Sequence, residues 1–134
     1  MVTLPSKTKF STFKRSFLKW SIGLTLLFLL GFAAYLALVL SWSYSDGERA
    51  GYLQKFSRKG WLCKSYEGEL AMTTVPGVAP LLWNFTVRDE AVARQMNALL
   101  GKRIALSYEE HRGIPTDCFG ETSYFVTQVR ALER

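Results

Sequence analysis

The sequence predicts a single transmembrane α-helix followed by a small, mostly β domain of the α+β class. One observation is a charge-free apolar run of about twenty residues. A second is a series of segments in which apolar and polar residues alternate, as they do in half-buried strands. The third is one segment among them whose apolar residues recur every three or four positions, as in an amphipathic helix. In a chain of 134 residues, what remains after the membrane segment is enough for one domain.

Residues 21–42 form the predicted transmembrane signal-anchor helix. No charged residue interrupts the chain between Trp20 and Tyr44, and at ~1.5 Å per residue the run crosses a hydrocarbon layer of ~30 Å. Trp20 at one end, and Trp42 with Tyr44 at the other, carry the rings that prefer the headgroup region. A cleaved signal peptide is the alternative, but its apolar region would be shorter and the indole of Trp42 gives a poor cleavage context.

The flanking charges predict the orientation of this helix. Residues 1–20 form a basic tail without an acidic residue, and its five cations are Lys7, Lys9, Lys14, Arg15 and Lys19. This bias predicts a cytoplasmic N-terminus and a C-terminal domain across the membrane. The other twelve Lys and Arg are balanced by eleven Asp and Glu. The net charge of +6 is therefore a property of the tail and does not indicate a nucleic-acid-binding domain.

Residues 43–50 are predicted to be a linker, and residues 51–134 the outer domain. Alternation predicts five strands, over 51–58, 62–72, 81–88, 103–109 and 123–132. Asp89 is a suitable N-cap, and Gly101 a suitable terminal glycine, for a helix between the third and fourth strands. Five antiparallel strands with the helix in this place is the order of an oligonucleotide/oligosaccharide-binding (OB) fold, a partly open barrel. An open antiparallel sheet packed on one helix has the same order and is the alternative.

Cys63 and Cys118 are the only cysteines. If the domain lies outside the cytoplasm, two cysteines in separate elements are expected to form a disulfide; in the cytosol they would be buried or idle thiols. Zinc needs about four ligands, and His111 is the only histidine, so no metal is expected. A nucleophilic cysteine paired with His111 has no supporting motif, and no cofactor is expected.

Glu67 and Glu69 lie two residues apart in the second predicted strand, so they project to the same face. Paired carboxylates can perform acid–base chemistry, but no cluster of acids, histidine or serine accompanies them, which favours a solvated strand face. Tyr66, Trp83 and Phe85 could form a stacking platform for single-stranded nucleic acid. The nearly neutral domain and its predicted side of the membrane favour core positions for these rings, so no nucleic acid is expected.

Residues 44–72 resemble a group of small bacterial membrane-anchored proteins. The shared pattern is Tyr-Ser-x-Gly-x-Arg-x-Gly, then Lys-Phe-Ser-x-Lys-Gly, then Glu-Gly-Glu-Leu. Here it comprises Tyr44, Ser45, Gly47, Arg49, Gly51, then Lys55, Phe56, Ser57, Lys59, Gly60, then Glu67, Gly68, Glu69 and Leu70. The resemblance implies a bacterial inner membrane and supplies no active site. Some members are labelled 6-phosphogluconate dehydrogenase, which this sequence does not support, because it has no Gly-x-Gly-x-x-Gly after a strand.

The predicted function is binding rather than catalysis. The outer domain is expected to lie in the periplasm and to dock onto another envelope protein, while the helix holds it in the bilayer. The candidate interaction surface consists of Trp61, Glu67, Glu69 and His111. One alternative is binding of a small ligand or a lipid headgroup in the barrel mouth. A second is a cytoplasmic nucleic-acid or protein binder with reversed topology, and a third is an enzyme centred on Cys118 or the glutamate pair.

Overall fold

The computed structural model describes residues 7–72 and 75–132. The chain divides into two compact units, Met1–Leu38 and Val39–Arg134. The first six residues of the predicted basic tail and the last two residues of the predicted domain lie outside the described residues. The side chains of Lys7 and Lys9 lie outside them as well.

Helix α1 runs over Lys7–Ser41, and its residues up to Leu38 belong to the first unit. Its stretch Thr12–Ser41 is long and apolar enough to cross a membrane. Apolar side chains are exposed on every face of this stretch, as expected for a helix whose solvent is lipid. The helix begins well before the predicted start at residue 21, because residues 7–22 contain no proline or glycine that would interrupt it. Trp42 follows directly after its last residue.

The second unit is a five-stranded barrel with one helix. Its strands are β1 Ser45–Lys59, β2 Ser65–Ala71, β3 Leu82–Val87, β4 Arg103–Glu110 and β5 Tyr124–Ala131, and α2, Glu90–Ala98, lies between β3 and β4. The neighbour order β1-β2-β3-β5-β4 closes where β4 pairs with β1. This is the OB order, and the predicted fold class is confirmed. One pair departs from the antiparallel prediction: β3 and β5 run parallel, with Thr86 beside Phe125, because α2 and β4 carry the chain back between them.

Strand β1 includes most of the predicted linker. Its first half pairs with β4 and its second half with β2, so it curves across both neighbours. At Gly51 a Cβ would lie 2.3 Å from the carbonyl oxygen of Ala71, so only glycine allows this approach. The linker prediction is wrong over residues 45–50. Ser45-Asp46-Gly47 is typical of turns, but the ladder with β4 overrides that local preference.

The barrel interior is filled by alternate residues of the strands. The fully buried ones are Leu53, Leu70, Phe85, Val87, Ile104 and Leu106. Helix α2 buries Val92, Ala93 and Met96 against this core. Both predicted ends of α2 are confirmed: Asp89 accepts a hydrogen bond from the Ala91 amide at 2.8 Å, and Gly101 follows the helix with a φ of 77°.

The two ends of the barrel differ. At the α2 end, Tyr66 at the start of β2 pairs with Val87, which is followed by α2. The β1–β2 loop, residues 60–64, therefore lies at this end. At the opposite end, here called the entry end, the chain enters β1 at Ser45, which pairs with Glu110. The beginnings of β3 and β5 lie at the entry end.

Candidate functional site: two loops joined by a disulfide

A disulfide joins the β1–β2 loop to the β4–β5 loop, residues 111–123. Cys63 and Cys118 are bonded at an S–S distance of 2.02 Å across a sequence separation of 55. The predicted pairing is therefore present. In OB folds the outer face of β2 and β3 binds ligands and is bordered by these two loops. Because its sulfur is bonded to Cys63, Cys118 is not a free nucleophile for His111.

Glu67 holds the β4–β5 loop against the outside of the barrel. Its Oε1 accepts hydrogen bonds from the Ser65 hydroxyl at 2.6 Å and the Glu121 amide at 3.1 Å, and its Oε2 accepts one from the Thr86 hydroxyl at 2.8 Å. The side chain is only 7% exposed. The prediction that Glu67 belongs to a solvated interaction surface is therefore wrong, because the loop covers it.

Gly68 and Glu69 have different structural roles from Glu67. A Cβ on Gly68 would lie 2.3 Å from Cζ of the buried Phe85 ring, so glycine makes room for the largest fully buried side chain of the core. Glu69 is half-buried on the outer face, where its carboxylate lies 3.6 Å from Lys55 Nζ. The Glu-Gly-Glu motif thus combines a loop anchor, a packing position and a surface ion pair, and its two carboxylates do not form an acid–base pair.

A polar groove of about 180 Å³ runs along the outer face beside Glu69. It is lined by Lys55, Ser57, Lys59, Glu67, Gly68, Glu69, Asn84, Glu121 and Thr122. Lys59 Nζ lies 2.7 Å from a carboxylate oxygen of Glu121, and this hydrogen bond raises the pKa of Lys59 above its ordinary value. Two lysines and three glutamates lie close together in the groove and largely offset one another, so it carries no strong field for a charged ligand.

Of the aromatic residues considered for nucleic-acid stacking, Trp83 and Phe85 point into the barrel, and Tyr66 lies at its α2 end. Trp83 and Phe85 are buried, with ring centroids 5.4 Å apart. Tyr66 is half-buried and stacks on Phe56 at 5.8 Å. Among the described residues that line the outer groove none is aromatic. The stacking alternative therefore has no platform on this face.

Trp61 and Leu62 form the tip of the β1–β2 loop, next to the disulfide. Their exposures are 104% and 96%, the highest of the exposed large apolar side chains. The predicted surface residue Trp61 is thus fully accessible, and Leu62 was missed. The disulfide at the next residue restrains the backbone that carries this apolar tip.

A basic groove of about 260 Å³ lies beside this tip. Arg58, Lys64 and Arg88 contribute its three cations, Glu90 its one carboxylate, and Cys118 and Phe119 belong to its wall. The Arg88 guanidinium carbon lies 5.6 Å from the centroid of the Phe119 ring, which orients it. Arg58 and Lys64 flank the β1–β2 loop, and the pairing of β2 with β3 brings Arg88, which follows β3, to the same end of the barrel.

His111 is buried at the start of the β4–β5 loop rather than displayed by it. It is 4% exposed; its Nδ1 lies 3.1 Å from the carbonyl oxygen of Val39 and its Nε2 lies 3.2 Å from Glu109 Oε2. The prediction that His111 lies on an interaction surface is wrong, because the residue is buried and both ring nitrogens face acceptors within the protein. In residues 7–72 and 75–132, no three His, Cys, Asp or Glu side chains are grouped as metal ligands would be.

Arg49 is a notable residue that the sequence reasoning missed. Its guanidinium carbon lies 4.8, 5.4 and 5.7 Å from the ring centroids of Trp83, Tyr108 and Tyr124. These rings contact one another at 5.0–5.7 Å and close the entry end of the barrel. The available signal was the spacing of Gly47, Arg49 and Gly51, which continues the inward phase of Leu53, but the turn-like start of β1 concealed it.

Comparison with known proteins gives one family. No curated protein and no solved structure matches the chain. Residues 42–134, which contain the whole barrel with both loops and the disulfide, match the family model described as "Domain of unknown function (DUF8785)". The protein therefore belongs to the DUF8785 family.

Proposed function

We propose that this protein is a membrane-anchored docking module of the bacterial envelope. Helix α1 holds it in the inner membrane, and the tip formed by Trp61 and Leu62 binds a partner protein. The observation that carries this proposal is the complete exposure of these two side chains on a loop restrained by the Cys63–Cys118 disulfide.

The tip contributes little to the stability of the barrel, because neither side chain is buried by it. Covering the Leu62 side chain alone would gain roughly 1.5–3 kcal/mol, and an indole offers a larger apolar area. Tryptophan is enriched among the residues that dominate binding energy in protein interfaces. Restraint by the disulfide lowers the entropy lost when the loop is fixed on a partner. An apolar pocket on the partner is the complement that this tip requires.

The basic groove beside the tip indicates which side chains should surround the apolar pocket on the partner. Arg58, Lys64 and Arg88 face a single carboxylate in the groove, that of Glu90. Opposite charges across an interface raise the association rate and fix the relative orientation of the partners. We therefore expect acidic side chains on the partner beside its apolar pocket.

The anchor and the disulfide together support the proposed location. One apolar helix preceded by basic residues favours a cytoplasmic N-terminus. A disulfide persists in an oxidising compartment, which for a bacterial inner-membrane protein is the periplasm. Both observations support a barrel on the periplasmic side.

The test places the photo-reactive residue p-benzoylphenylalanine at position 61 of the full chain in living cells. Irradiation is expected to give one defined adduct with an envelope protein, which mass spectrometry identifies. The same probe at position 100 is the matched control, because Leu100, like Trp61, is an exposed apolar residue, but it is located after α2 rather than at the tip. It should not give that adduct.

The purified partner is then titrated against the full chain in detergent micelles. W61A is expected to weaken binding by about 30-fold or more, as for a hot-spot residue, and L62A by a smaller factor. L100A should bind like the wild type. Equal affinity of W61A and wild type, or an adduct at position 61 with lipid alone, would refute docking through this tip.

A further inference from the structure

The entry end of the barrel carries a cation whose position is fixed by aromatic rings. Arg49 points into the barrel mouth, half-buried, with its guanidinium carbon 4.8 Å from the centroid of the buried Trp83 ring. Tyr108 on β4 and Tyr124 on β5 contact the same guanidinium. Contacts with three rings orient the group and limit the rotamers open to it.

The hydrogen-bonding capacity of this guanidinium is largely unused. Arginine offers five N–H donors. In the part of the chain that the structure describes, the side-chain hydrogen bond of Arg49 is that of Nη1 with Met72 Sδ at 3.6 Å, and no carboxylate lies within ion-pair distance. Trp83 Nε1, in the ring beneath, is buried without an acceptor among the described residues. Partial removal of a charged group from water is unfavourable when its hydrogen-bond donors have no acceptors, and a bound anion would supply those acceptors.

A second arginine near the start of β1, Arg112, contacts both an aromatic ring and a carboxylate. Arg112 Nε lies 2.8 Å from Glu110 Oε1, and its guanidinium carbon lies 3.7 Å from the centroid of the Tyr44 ring. The hydrogen bond with Glu110 raises the pKa of Arg112 above its ordinary value. Arg49 has the aromatic support of Arg112 without its carboxylate, so the missing component at Arg49 is an oxyanion.

The surroundings of Arg49 indicate where that oxyanion comes from. The β2–β3 connection leaves the barrel at Met72, the residue that touches Arg49. It exposes Val75, Val78 and Leu81, and Leu82 at the start of β3 is exposed beside them. Strand β1 begins at Ser45, and α1 ends at Ser41. Four Cα steps span at most about 14 Å. The entry end is thus tied by a short chain to the segment that crosses the membrane, where apolar side chains and lipid phosphates meet.

We propose that Arg49 binds the phosphate group of a membrane phospholipid, with the exposed residues of the β2–β3 connection in contact with the adjoining acyl region. The planar guanidinium donates two parallel hydrogen bonds to phosphate oxygens, an arrangement that a lysine cannot form. The site is independent of the docking tip, which lies at the α2 end of the barrel.

The test uses the full chain in neutral maltoside micelles. The unfolding temperature of the barrel is followed while a soluble short-chain phosphatidylglycerol or, separately, inorganic phosphate is added. The lipid is expected to raise this temperature saturably, and inorganic phosphate to act only at much higher concentration. R49M is expected to weaken the response to lipid by about 10- to 100-fold, the range of one charge-assisted bidentate contact. R49K is expected to lie between R49M and the wild type.

The matched control is R94M, which removes the same charge from the exposed face of α2. Its response to the lipid should equal that of the wild type. Equal responses to phosphate and lipid would keep Arg49 as an oxyanion site and overturn the phospholipid as its ligand. No saturable response of the wild type, or R49K and R94M responding alike, would overturn the site itself. R49K retains the cation over the rings, so the comparison does not depend on the folding of R49M.

Discussion

Glu67 and Glu69 lie on the same face of β2, and replacing each by alanine should have very different consequences. In E67A, the Ser65 hydroxyl, the Thr86 hydroxyl and the Glu121 amide all lose their acceptor. Each hydrogen bond to a charged group contributes about 1.5–3 kcal/mol, and water that enters the vacated space recovers part of this. We expect a loss of about 3–5 kcal/mol in the free energy of unfolding.

The glutamine variant at the same position should be much milder. The amide oxygen of E67Q can keep the bonds from Ser65 and Glu121, while its NH₂ group donates to Thr86. The Thr86 hydroxyl then turns towards Thr122 Oγ1, which already lies 2.9 Å away. The free energy of unfolding should then fall by only about 1 kcal/mol, because neutral hydrogen bonds replace charged ones. E69A removes an ion pair whose partner Lys55 is largely exposed, and should cost at most about 0.5 kcal/mol.

The assay is thermal unfolding of the full chain in micelles, with the transition of the barrel followed by near-ultraviolet circular dichroism. In a domain of this size 1 kcal/mol moves the midpoint by about 4–8 °C. E67A should therefore melt at least about 10 °C below the wild type, E67Q a few degrees below, and E69A within a few degrees. If E67A and E69A melted together, Glu67 would not be the anchor of the β4–β5 loop.

Two further predictions concern the same part of the barrel. G68A places a methyl group against the Phe85 ring and should lower the free energy of unfolding by about 1–3 kcal/mol through overpacking. In the control G23A, the added Cβ meets nothing within 4 Å, so the barrel transition should be unchanged. Equal melting midpoints for both variants would contradict the packing argument. In native membranes Cys63 and Cys118 should react with an alkylating reagent only after reduction, and alkylation without reduction would contradict both the bond and the periplasmic location. The free energy of unfolding of the C63S/C118S double variant should fall by up to about 4 kcal/mol, because the bond closes a loop of 55 residues.

The sequence was sufficient for features that depend on local pattern. The alternation of β3, the Asp89 cap and the glycine after α2 are each read from a few neighbouring residues, and each lies where it was predicted. The order of elements then restricted the fold class, because few small domains place one helix between the third and fourth of five strands. The parallel contact of β3 with β5 was not available in this way, since it joins residues far apart in the chain.

Burial of the individual candidates depended on contacts that no local pattern contains. Glu67 and Glu69 have the same periodicity, and only the return of the chain at Glu121 decides which of them is covered. His111 follows a strand and precedes residues typical of loops, so it was expected at the surface; its partners are Glu109 and the distant Val39. Arg49 was concealed by the turn-like residues before it, although the inward phase of β1 passes through it.

The arrangement of the two proposed sites follows from the path of β1. The strand starts at Ser45, four residues after α1 ends at Ser41, with Arg49 in its first half, and it ends beside the loop that carries Trp61. A site for lipid phosphate at the start and a site for a partner at the finish therefore lie at opposite ends of one rigid barrel. Engagement of the first would restrict how the barrel turns on its short tether. Anchoring and lipid binding together would hold the tip at a high effective concentration for a neighbouring envelope protein, which strengthens binding without any additional contact.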